Sequence, residues 1–107
     1  MTRRRAQESA AVQAHITRRQ DDLLARAMTM LADCPDDTLP AQVHRLVGTL
    51  GTYQLMEASA LMRACEGDLQ GSGPPPREVA VIRRTTLTSL SEIVAARGAY
   101  HEGTSPQ

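Results

Sequence analysis

The sequence predicts an all-α chain folded as an antiparallel four-helix bundle, with an Arg-rich N-terminal extension and a disordered C-terminal tail. Three observations predict it. Apolar residues recur at helical spacing in four separate segments. No segment shows the strict alternation of a half-buried strand, and no internal repeat is present. The breaks between successive patterns are short, which favours antiparallel neighbours. A chain of 107 residues is one domain's worth, so residues 1–107 read as a single unit with an ordered helical core over about 8–98.

The first pattern is Val12, Ile16, Leu23, Ala27 and Met30, widened by Leu24 and Leu31. It ends at Cys34-Pro35-Asp36-Asp37, because a proline disfavours helix at the residue before it. Asp37 or Thr38 is then placed to cap a second helix that tolerates Pro40 in its first turn. Val43, Leu46, Val47 and Leu50 form the apolar face of that helix. A third pattern follows at once: Leu55, Ala58, Leu61, Met62, Cys65 and Leu69. The stretch Gly71-Ser72-Gly73-Pro74-Pro75-Pro76 is the clearest break, flexible at its start and stiff at its end. Val79, Ile82, Thr86, Leu90 and Ile93, with Leu87 and Val94 beside them, define the fourth helix. The pattern is lost from Gly98, and residues 103–107 read as a disordered tail.

Composition narrows the chemistry. There is no Phe or Trp, and Tyr53 and Tyr100 are the only aromatics, so aliphatic side chains and Met must fill the core. Acids and bases balance to a formal net charge of zero, which gives the whole molecule no strong pull on nucleic acid or anionic lipid. Every base apart from the histidines is Arg, so Schiff-base chemistry and Lys-dependent phosphate loops are excluded. Cys34 and Cys65 make neither a disulfide framework nor a CxxC metal pair, and no metal or cofactor of its own is expected. With no signal-peptide or membrane-length apolar run, the cytoplasm is the expected location. Arg3-Arg4-Arg5 and Arg18-Arg19 read as a solvated face or a helix start, because no stacking aromatics accompany them and Asp21-Asp22 follow closely. His15 and His101 have no ligand-like company.

One histidine stands apart. On a helical wheel Val43, Leu46, Val47 and Leu50 cluster, and His44 lies about 110° from their centre, on the shoulder of the helix. Gly48 and Gly51 follow on the same shoulder, and Ala41 precedes it. Two glycines inside a helix cost about 1 kcal/mol each relative to alanine, so something else must favour them. Either a partner's backbone needs access to the imidazole, or the small residues allow close helix packing. An imidazole that is substantially neutral at physiological pH has a ring lone pair for attack on phosphorus. Phosphoryl transfer then needs positioning and charge neutralisation, which a partner can supply.

The run from His44 through Arg45, Leu46, Val47, Gly48, Thr49, Leu50, Gly51, Thr52, Tyr53 and Gln54 to Leu55 resembles the signature of histidine-containing phosphotransfer (HPt) domains of bacterial two-component relays. The resemblance covers about residues 41–66 closely; the flanking helices match by pattern alone. It places the phosphoacceptor on His44, the family leucine on Leu46, the glycine on Gly48, its hydroxyl neighbour on Thr49 and the closing acidic position on Glu66. Three positions depart from the pattern: Val47 replaces a lysine, Gln54 a glycine that turns the chain into the third helix, and Cys65 a leucine.

The resemblance implies a phosphocarrier rather than an enzyme, with no nucleotide site. His44 would exchange a phosphoryl group with the aspartate of a receiver domain, in a response regulator or a hybrid histidine kinase, and that receiver would bring Mg²⁺. The implied docking face comprises Ala41, Arg45, Gly48 and Gly51 with Ser59, Arg63 and Glu66 from the next helix. A monomer that binds neither nucleic acid nor membrane is expected. The rival reading is a helical adaptor that keeps the bundle and binds without phosphorylation; Val47 in place of lysine favours it.

Overall fold

A computed structural model describes the backbone of residues 2–71 and 78–103 and the side chains of residues 7–71 and 78–98. Four helices follow one another: α1 (Thr2–Asp33), α2 (Leu39–Thr52), α3 (Met56–Gln70) and α4 (Val79–Gly103). No strand occurs among the described residues. Each helix packs on the next, and α4 closes back on α1, with α2 and α3 the most intimate pair.

The core follows the apolar periodicity. Leu24, Ala27 and Leu31 of α1 meet Leu39, Val43 and Leu50 of α2, Ala58, Met62 and Cys65 of α3, and Ile82 and Leu90 of α4. Burial pushes the Cys65 thiol up, and a hydrogen bond with buried Thr86 partly opposes this. Cys65 is therefore an apolar packing group at neutral pH. No helix among the described residues is long and apolar enough to cross a membrane.

Helix ends depart from the sequence reading at several places. The backbone is helical from Thr2, so the Arg-rich start is continuous with α1. Residues 7–15 are all exposed, and Val12, expected in the apolar stripe, is 58% exposed. α4 also continues through Gly98 to Gly103, beyond the apolar pattern. Thr38 occupies the N-cap position of α2 but makes no capping hydrogen bond. Its hydroxyl donates instead to the Pro35 carbonyl at 3.1 Å and lies 3.0 Å from the Cys34 sulfur. Gly71 ends α3 in the left-handed conformation that glycine adopts without strain. The Ser72–Pro76 part of the break, the tail after Gly103, and the side chains of Arg3, Arg4, Arg5, Tyr100 and His101 lie outside the described residues.

Two arginines of α4 tie the helices together. Arg83 donates to the Leu31 carbonyl at 2.7 Å, to the Cys34 carbonyl, and to Asp36 at 2.8 Å. It thereby satisfies carbonyls that the end of α1 leaves without partners. At the other end Arg97 pairs with Asp21 at 2.9 Å, and Gln20 donates to the Tyr53 carbonyl at 2.8 Å. The Arg19 guanidinium sits 6.0 Å from the Tyr53 ring centroid. These contacts bring residues 19–21 of α1 level with the α2–α3 turn.

Candidate functional site

His44 projects from the middle of α2 with 78% of its side chain exposed. Its place on the wheel accounts for this: Val43 and Leu50 are fully buried, while Leu46 and Val47 pack partly buried against the core. The imidazole is not left to rotate. Its Nδ1 lies 2.5 Å from Oε2 of Glu66 on α3, whose own side chain is only 20% exposed. With the carboxylate ionised and the ring neutral, Nδ1 is the donor of this hydrogen bond. The other ring nitrogen, Nε2, then holds the free lone pair and points away from the carboxylate.

The surroundings of His44 differ along the helix. A methyl group built at Gly48 would meet nothing within 4 Å, so the position one turn on is open. The same test at Gly51 meets Ser59 Oγ at 3.6 Å. A Cβ at Gly51 would thus sit in ordinary van der Waals contact with α3, and Gly48 is the one that leaves space beside the histidine. Gly67, directly after Glu66, is also open and was not singled out by the sequence.

The remaining expected docking residues separate into two groups. Ala41, Arg45 and Arg63 are exposed, and Glu66 stands at the site itself. Ser59 is a correction. It is 6% exposed, and its hydroxyl donates to the Val47 carbonyl at 2.8 Å, so it joins the helices and presents no side chain to a partner. Two threonines on α2, Thr49 and Thr52, turn their hydroxyls inward to the carbonyls of Arg45 and Gly48, at 3.1 and 2.9 Å. They offer no donor outward through that proton.

The turn that leads α2 into α3 tolerates the missing glycine at a cost. Gln54 has φ 62°, the left-handed region in which a side chain is strained. Its amide donates to the Gly51 carbonyl at 3.0 Å, and the Leu55 amide to the Leu50 carbonyl at 2.9 Å. Leu55, 7% exposed, anchors the turn in the core and holds the strained residue in place.

Chemically, the site is a nucleophile with one oriented nitrogen and little else. No group of three or more His, Cys, Asp or Glu side chains among the described residues could hold a metal ion. His15 is exposed on α1. No family model, no curated protein and no solved structure matches this chain significantly.

Proposed function

We propose that this chain is an antiparallel four-helix phosphocarrier of the HPt type, taking up and passing on a phosphoryl group at Nε2 of His44. The hydrogen bond from Nδ1 to Glu66 carries the reading. It fixes the tautomer, aims Nε2 outward and supplies a negative charge where the ring becomes positive. Nε2 attacks the phosphorus of a receiver's aspartyl phosphate; the P–N bond forms as the acyl P–O bond breaks, and the receiver carboxylate departs with that electron pair. The ring keeps its Nδ1 proton, so the phosphoimidazole is cationic, and Glu66 stabilises it by a charge-assisted hydrogen bond. The step runs backwards by the same contacts, as a carrier requires.

Among the described residues, no ion pair or hydrogen bond fixes a cation beside His44. Val47, where the resemblance expects lysine, packs against the core and offers only its carbonyl, to Ser59. Charge neutralisation therefore falls to the partner, through its Mg²⁺ and its own side chains. The open space at Gly48 lets that partner approach. Arg45 and Arg63, both exposed, are the side chains available to meet an acidic receiver surface. The protein needs no nucleotide for this role and works in the cytoplasm with its receiver.

The test is incubation with phosphorylated receiver domains from the same cell, with mass spectrometry of the product. The expected result is one acid-labile phosphoryl group on His44. A chain that binds receivers but never acquires the adduct would be an adaptor.

A further inference from the structure

Water reaches His44 as freely as a partner does. The imidazole is 78% exposed, and a Cβ built at Gly48 on α2, or at Gly67 directly after Glu66 on α3, would meet nothing within 4 Å. The charged groups around the ring are few. Glu66 holds Nδ1, Arg63 stands one turn before it on α3, the helix packed against α2 here, and Arg45 follows His44 on α2 itself. Both arginines are exposed and keep their charge through the neutral and alkaline range. Among the described residues no second carboxylate is hydrogen-bonded or ion-paired at His44, so no base is fixed there to activate water. The fate of a phosphoryl group facing solvent then depends on how well the ring leaves.

That depends on the proton at Nδ1. With the proton in place, phosphorus departs from a ring that becomes neutral imidazole. Without it the ring must leave as an imidazolide anion, a far poorer leaving group. A phosphoimidazole free in water gives up this proton near neutrality, in the ordinary histidine range. At His44 the proton lies between Nδ1 and a carboxylate 2.5 Å away that is only 20% exposed, which favours the cationic ring over the neutral one.

We propose that Glu66 sets the lifetime of the phosphoryl group on His44 by keeping the Nδ1 proton in place, so that the carrier discharges to water at a rate that stays level into the alkaline range. This control presupposes the phosphocarrier reading, with the phosphoryl group on Nε2, and adds water to the receiver as an acceptor. Water attacks phosphorus, the new P–O bond forms as the P–N bond breaks, and the electron pair returns to Nε2. The products are dihydrogen phosphate and neutral imidazole, still hydrogen-bonded to Glu66. The carboxylate acts in two directions. Its attraction for the ring weakens as the ring turns neutral, so below neutrality it slows departure. Above neutrality it speeds departure, because it preserves a proton that an unpartnered ring has lost. A loaded chain that meets no receiver thus empties itself at a steady rate.

The test is the decay of an adduct loaded with phosphoramidate, from which Nε2 displaces ammonia, so that no receiver is required. Site-resolved mass spectrometry follows the loss of phosphate from about pH 6 to about pH 9. Wild-type His44 should give a nearly level profile. Glu66→Gln should decay faster than wild type at the acid end and about tenfold more slowly at the alkaline end, so the two profiles cross. His15, exposed on α1, is a reference in the same chain and should slow with rising pH as the variant does. Profiles that coincide or run parallel overturn the proposal, as does a wild-type His44 adduct that follows His15. So does a folded chain that takes no phosphoryl group at His44 from phosphoramidate. A crossing without transfer from any phosphorylated receiver would uphold the control of lifetime and refute the relay; transfer from a receiver without a crossing would do the reverse.

Discussion

Helix α3 reaches across to α2 with a polar side chain at two places, and they serve opposite ends. At the closed place Ser59 is buried, its hydroxyl is spent on the Val47 carbonyl, and Gly51 lies against it at 3.6 Å. At the open place Glu66 holds Nδ1 of His44 at 2.5 Å, the imidazole is mostly exposed, and a Cβ at Gly48 would meet nothing within 4 Å. Both contacts join the same two helices. The first uses its polar group to satisfy backbone and exclude water, whereas the second uses it to orient a side chain that faces water. A glycine near each therefore means different things: at Gly51 a larger side chain would run against the neighbouring helix, and at Gly48 it would enter open space.

Breaking the open place should cost function and spare the fold. His44→Gln should abolish phosphoryl uptake, with a thermal midpoint close to wild type, because the side chain makes one exposed hydrogen bond and no core contact. Loss of both would make His44 structural. Next in size, Gly48→Leu should slow transfer by about 10²-fold through obstruction of the docked geometry, while leaving stability unchanged or raised by up to about 1 kcal/mol. Gly51→Leu should do the reverse, destabilising by about 1–3 kcal/mol as it overpacks Ser59. Chemical denaturation beside single-turnover transfer reads both. If the two variants behave alike, the contrast between the glycines fails.

Glu66 can be divided into position and charge. Glu66→Gln keeps an oxygen to accept from Nδ1 but removes the charge, and should slow transfer about tenfold. Glu66→Ala loses orientation as well and should be slower still. An Ala variant as fast as wild type would remove Glu66 from the account. At the closed place the effects are smaller and fall on stability. Ser59→Ala should cost about 1 kcal/mol without changing transfer per folded molecule. Gln54→Gly should stabilise by about 0.5–1 kcal/mol through relief of the left-handed residue, read as a shift in the denaturation midpoint.

The helices were legible in the sequence because burial imposes a period, and Leu24, Leu31, Val43, Leu50, Met62, Ile82 and Leu90 all obey it. Their outer ends were not. Residues 2–11 are rich in Arg, Ala, Gln and Glu, which favour helix without an apolar period, so α1 begins where no apolar pattern announces it. Val12 belonged to the expected stripe, but a period cannot show that the neighbouring helices stop short of it. His44 was correctly placed on the exposed shoulder by the wheel alone. Ser59 was not, since a hydroxyl reads as surface until a buried carbonyl is found opposite. The pairing of Glu66 with His44 spans 22 residues and leaves no local trace. The resemblance marked Glu66 as a position and gave no role at Nδ1.

The most direct test of the central claim is heteronuclear NMR of the chain with ¹⁵N-labelled histidine, before and after treatment with a phosphorylated receiver. The account predicts that free His44 shows the tautomer protonated at Nδ1, and that the product carries its phosphoryl group on Nε2 with the Nδ1 proton retained. Phosphorylation at Nδ1, at another histidine, or nowhere in a folded and receiver-bound chain would contradict it.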